Sequence, residues 1–111
     1  MDIDNNLKMT ILIDTYGELL TNKQLDICKL YYFDNLSLAE IGELQSISRQ
    51  AVNDALEKSK TLLEMYEQKI GKVRLISSVS QSLKSLEEKL KTTKDIDNLT
   101  KDINKIINNL D

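Results

Sequence analysis

The chain has 111 residues and a net charge of −3, with 41% hydrophobic residues, three glycines, no proline and no histidine. That length holds one domain, or one small domain with an appendage, and the absence of histidine removes the usual general base, the usual metal ligand and every Ser-His or Cys-His nucleophile. No run approaches the roughly 18 apolar residues of a membrane span, and the single cysteine, Cys28, excludes an internal disulfide.

The first residues, MDIDNN, are acidic where a secretory signal would be basic. Together with one unpaired cysteine this reads as a cytoplasmic protein. A first helix is expected from Asp4 or Asn5 to about Leu20, with Leu7, Ile11, Tyr16, Leu19 and Leu20 recurring near helical spacing. Gly17 lies inside it, at a cost of about 1 kcal/mol relative to Ala unless close packing needs it. Thr21, with Gln24 three residues on, forms a capping box that opens a second helix, Asn22 to Phe33. Its inward positions are Leu25, Cys28 and Tyr32, with Leu30 or Phe33. Tyr31-Tyr32-Phe33 is read as a helix end packed on the next element, not as a stacking platform, because three consecutive helical residues point three ways. Asp34 and Asn35 close the element in a tight turn.

Residues Ser37 to Leu63, SLAEIGELQSISRQAVNDALEKSKTLL, carry the spacing of a helix-turn-helix. Ser37 and Glu40 make a second capping box, so a short helix begins at Leu38 and breaks at Gln45, Ser46 and Ile47. Ser48 caps the next helix, which runs from Arg49 to about Ile70. Two helices crossing steeply need a small residue where they touch, and Gly42 is placed there. Ile41, Ile47, Val52 and Leu56 form the apolar plug. Arg49, Gln50, Asn53 and Asp54 are left on the outer face, where a DNA reader presents its side chains. Arg suits guanine and Gln and Asn suit adenine, so Arg49, Gln50 and Asn53 are the candidate base contacts. Lys58 and Lys60 are the candidate phosphate contacts. The partner would be DNA or RNA.

Gly71 marks a boundary. Residues 1–71 read as a helix-turn-helix bundle with an extended second motif helix. Residues 72–111 read as a helical hairpin, an arm for dimerisation or partner binding. In the arm, Ile76, Val79, Leu83, Leu86 and Leu90 alternate by three and four, and the pattern resumes at Ile96, Leu99, Ile103, Ile106 and Leu110 after a break at Thr92, Thr93 and Lys94. The stripe is more than the small bundle can cover, which points to a homodimer. The expected fold is therefore all-α, with five to seven helices. Charge divides unevenly: seven basic against twelve acidic residues through Ile70, and eight against six from Gly71 on. An acidic motif half opposes the phosphate neutralisation that supplies most DNA affinity.

No catalytic, cofactor or metal site is predicted. Three isolated glycines make no phosphate loop, and one cysteine cannot build a zinc site alone. Cys28, one turn before Tyr32 on an apolar face, is read as core packing. Three functions stay open on these residues: a nucleic-acid-binding regulator, a protein-interaction module using the hairpin, and a helical scaffold.

The runs YGELLTNKQ, LYYFDNLSLAEIG and SISRQAVNDALEKSKTLLEMYEQKIG, from Tyr16 to Gly71, resemble the YlxM-type helix-turn-helix proteins of bacteria, with SRQAV followed by Asp54 the most specific element. More distantly, LTNKQLDICKLYYFDNLSLAEIG with SRQAV is similar to region 4 of sigma-70 factors, which reads promoter DNA. Nothing here is like the core-binding region of a sigma factor. The resemblance implies a regulator of the signal recognition particle pathway, with components of the particle as partners, because the family's genes neighbour those for the particle's GTPase and its receptor. Two positions depart from the commoner pattern. Gly42 stands where Ala is typical, and Ser46 stands where a Gly or Asn would adopt a left-handed backbone, so a slightly strained turn is expected.

Overall fold

The computed structural model describes residues 3–92 and 96–110. Among these residues there are six α-helices, one short 3₁₀ turn and no strand. The helices are α1 (Ile3–Tyr16), α2 (Asn22–Tyr32), α3 (Leu38–Gln45), α4 (Arg49–Ile70), α5 (Lys72–Thr92) and α6 (Ile96–Asn109), with the 3₁₀ turn at Gly17–Leu19. The all-helical expectation holds. The Thr93 and Lys94 part of the expected interhelical break lies outside the described residues.

Local chemistry sets the helix starts. Thr21 Oγ1 accepts from the Gln24 N–H at 3.2 Å while the Thr21 N–H donates to Gln24 Oε1 at 3.0 Å. Ser37 and Glu40 exchange the same pair of bonds at 3.1 and 3.0 Å. Ser48 Oγ accepts from the Ala51 N–H at 3.0 Å. Each cap satisfies amide donors that the first turn would otherwise leave unpaired. At the other end of α4, Gly71 takes a left-handed φ of 70° and its N–H closes on the Glu67 carbonyl at 2.8 Å.

The first helix differs from expectation in length and in face. It ends at Tyr16, and the chain tightens into the 3₁₀ turn because α2 comes close: a Cβ on Gly17 would stand 2.9 Å from Leu25 Cδ1. Its buried residues are Met9, Leu12, Ile13 and Tyr16, followed by Leu20, whereas Leu7, Ile11 and Leu19 are exposed. On α2 the buried residues are Ile27, Cys28 and Tyr32, with Leu25 half-buried. Ile41 on α3 and Val52, Leu56 and Leu63 on α4 complete this core, and Ile47 is half-buried at its edge. Ser59 is fully buried, its hydroxyl donating to the Ala55 carbonyl at 2.7 Å.

The chain divides into two compact units, Met1–Gly71 and Lys72–Asp111. In the first, α4 packs against α1, α2 and α3. Its far half is tied to α1 by the Tyr16 hydroxyl donating to Glu67 Oε1 at 2.6 Å and by Lys8 Nζ to Glu64 Oε1 at 3.4 Å. In the second, α5 and α6 pack as an antiparallel hairpin, with Lys89 Nζ donating to Asp102 Oδ2 at 2.7 Å. Among the described residues of the hairpin, none is buried.

Candidate nucleic-acid interface

The motif begins with a backbone constraint. Where α3 meets the start of α4, a Cβ on Gly42 would lie 2.8 Å from the Ile47 carbonyl oxygen and 3.5 Å from the Arg49 nitrogen. The absence of a side chain lets the turn close on α3, and the Ile47 N–H donates back to the Gly42 carbonyl at 3.0 Å. The expected role of Gly42 as the contact residue is met. Ser46 carries the turn with φ 57° and ψ 40°, the left-handed region that favours glycine. The expected strain at Ser46 is therefore present in the backbone.

This turn sets α4 with its first residues outward. Arg49 and Gln50 are exposed, Asn53 is half-buried, and with Leu38 of α3 they line one shallow concavity. Leu38 was missed by sequence reasoning; its position beside Ser37 at the start of α3 was the available signal. Gln50 is not a free amide. Its Nε2 donates to Asp54 Oδ1 at 2.9 Å, an i,i+4 pair that fixes the plane of the amide and leaves its oxygen available as an acceptor.

The two candidate lysines fall apart. Lys60 stands eleven residues after Arg49, about three turns, and continues the line of Arg49 and Asn53. At ~100° per residue Lys58 lies roughly 160° around the helix from Lys60, on the opposite flank. Lys58 is exposed and Lys60 half-buried. Asp54 and Glu57 are exposed on the surface between the two flanks. Glu40 and Glu43 add two exposed carboxylates on α3. The Glu40 carboxyl is held below its usual range by hydrogen bonding to the Ser37 backbone and then to its hydroxyl.

Nothing in this arrangement supplies a nucleophile or a metal ligand set. Cys28 is buried, and desolvation pushes its thiol up, partly offset by a hydrogen bond with Ser59. Tyr32, buried beside it, is pushed up to about 12, chiefly by desolvation. Tyr31 stacks on Tyr32 edge-on, with ring centroids 5.0 Å apart, while Phe33 is exposed. Among the described residues no helix is long and apolar enough to cross a membrane, and no group of three or more His, Cys, Asp or Glu could hold a metal ion.

The model of the UPF0122 family, described as "Putative helix-turn-helix protein, YlxM / p13 like", matches residues 3–103. A UPF0122 protein of Caldanaerobacter subterraneus is 44% identical over 85 residues, covering 77% of this chain and 73% of its own length. One from Desulforamulus reducens is 46% identical over 81 residues, 73% of this chain and 67% of the relative. One from Halalkalibacterium halodurans is 41% identical over 86 residues, 78% and 79% of the two chains.

Proposed function

The chain belongs to the UPF0122 family of YlxM / p13-like helix-turn-helix proteins, and from that premise we propose that it is a regulatory, non-enzymatic protein that reads a nucleic acid weakly. The observation that supports this most is the convergence of Arg49, Gln50 and Asn53 around one concavity at the exposed start of α4. The first residues of the second motif helix are those that reach base edges in helix-turn-helix proteins. Arg49 offers a bidentate donor for guanine, and Gln50 and Asn53 offer the donor-acceptor pair that matches adenine. Lys58 and Lys60, on the two flanks of α4, suit the two phosphate backbones that border a groove. Affinity is low in this reading, because Asp54 and Glu57 lie between those lysines and repel phosphate.

In this proposal the regulation acts in the signal recognition particle pathway, in the cytoplasm, with residues 1–71 as reader and residues 72–111 as an arm for a partner; the resemblance to the YlxM-type proteins is what supports the pathway. The test is titration of labelled duplex DNA and structured RNA libraries at low salt. Selected sequences should bind in the micromolar range, and Arg49→Ala should weaken them by about 1–3 kcal/mol while relaxing preference at one position. Equal binding by parent and Arg49→Ala overturns the reading. The acidic balance of the first 70 residues, twelve acidic against seven basic, favours a second reading, a module that binds a basic protein surface of the targeting pathway. Binding to particle components that survives Arg49→Ala and fails on Glu57→Lys would select it.

A further inference from the structure

Asp54 is an exposed carboxylate on the outer face of α4, where it repels a polyanion. Its contacts give it a second role. Helical side chains lean toward the helix N-terminus, so the Asp54 side chain lies over the turn that holds Gln50. Gln50 Nε2 donates to Asp54 Oδ1 at 2.9 Å. Among the described residues Asp54 forms no ion pair, although Lys58 stands about one turn further along α4. The carboxylate is thus spent on a neutral amide and not on charge neutralisation. A carboxylate only accepts hydrogen bonds, whereas a glutamine amide presents an oxygen on one side and two N–H donors on the other. Turning the Gln50 amide over would set Oε1 against Oδ1, two acceptors face to face. The contact therefore selects one of the two orientations open to the amide.

We propose that Asp54 is a positioning residue that makes Gln50 a reader of adenine, and excludes guanine, in the major groove of duplex DNA. This rests on the reading of Arg49, Gln50 and Asn53, which line one concavity, as base contacts. One amide hydrogen of Gln50 goes to Asp54, and Oε1 with the other hydrogen remain for a base edge. Adenine offers N6–H to the oxygen and N7 to the hydrogen, whereas guanine offers two acceptors, O6 and N7, one of which must face Oε1. A glutamine free to turn could meet guanine with its two N–H donors, and the Asp54 carboxylate opposes that turn. Duplex RNA is not the match, because side chains cannot read its deep, narrow major groove. The Asp54 charge weakens binding to every sequence, and its hydrogen bond converts that loss into discrimination at one base pair.

The test is titration of the full chain, at low salt, with duplexes that carry adenine or guanine at the base pair where Gln50→Ala relaxes preference. The parent should favour adenine roughly 5- to 150-fold, the equivalent of the ~1–3 kcal/mol of a good bidentate contact. Asp54→Asn keeps the side chain's size but can donate as well as accept, so the preference should fall to about twofold or less while both duplexes bind more tightly. Asp54→Glu keeps the carboxylate and should retain the preference. Glu57→Gln, at a neighbouring exposed position, removes a charge but not the contact to Gln50, so both duplexes should bind more tightly with the preference intact. Asp54 is exposed, and each variant should keep the parent's helical circular dichroism. A parent that binds but has no position dependent on Gln50, or that prefers guanine there, overturns the inference alone. So does Asp54→Asn with an unchanged preference, or Glu57→Gln with a lost one. A parent that selects no duplex overturns the nucleic-acid reading and this inference together.

Discussion

At the scale of single residues, the motif's turn rests on the space of one missing Cβ and on one unfavourable dihedral. Ser46 holds φ 57°, a conformation costing an L-residue roughly 1–2 kcal/mol and glycine little. Ser46→Gly should therefore raise the urea midpoint, with a gain of about 1 kcal/mol. Gly42→Ala should do the opposite. Its new Cβ meets the Ile47 carbonyl at 2.8 Å, a backbone atom that cannot swing aside, and overpacking of this kind costs about 1–3 kcal/mol. Cys28 offers a third check. Burial and its raised pKa leave little accessible thiolate, so a disulfide reagent at pH 8 should react at the rate of unfolding. Rapid burst labelling would contradict that. Gly42 was legible in the sequence because a steep helix crossing constrains that position directly, and Ser46 because it departs from the Gly or Asn usual in the family that the motif resembles.

At the scale of elements, the caps were legible and the inward face of the first helix was not. A capping box needs only two residues three apart, so Thr21 with Gln24 and Ser37 with Glu40 announce themselves locally. Along α1, however, Leu7 and Ile11 are as apolar as Met9 and Ile13. Periodicity alone cannot choose between two overlapping stripes; the packing of α2 and α4 does. The same limit applied to the candidate site. Arg49, Gln50 and Asn53 follow from the cap at Ser48, but the neighbour Leu38 comes from α3 and required the crossing geometry. The α3 cap also carries a pH dependence. Hydrogen bonding from Ser37 lowers the folded pKa of Glu40 beneath its unfolded value. The stabilisation is thus present above the ordinary glutamate range and is lost as pH falls through the folded pKa. Carbon-detected titration of Glu40 should show that depression, and Ser37→Ala should return it only part of the way, because the Ser37 N–H that contributes most is kept. A parent Glu40 that titrates at the ordinary glutamate value would refute the assignment.

At the scale of the whole molecule, the twelve buried apolar side chains among the described residues all lie between Met9 and Leu63. A fragment of residues 1–71 should therefore fold alone, melting cooperatively near the parent's transition for the same core. A fragment without a cooperative melt would show that the first unit depends on the second. The end of α4 at Gly71 was legible from a glycine flanked by two different apolar periods, whereas the exposure of the hairpin's apolar stripe was not, since a heptad looks the same whether or not its partner is present. This asymmetry has a kinetic consequence. Amide protons around Leu56 to Leu63 can exchange with deuterated solvent only when the buried core opens, while those of α5 and α6 are shielded by little more than helical hydrogen bonds. One chain thereby holds a slow and a fast exchange regime. Any molecule that settles on the hairpin will slow its exchange, leaving the core unchanged, and so can be detected without knowing its identity.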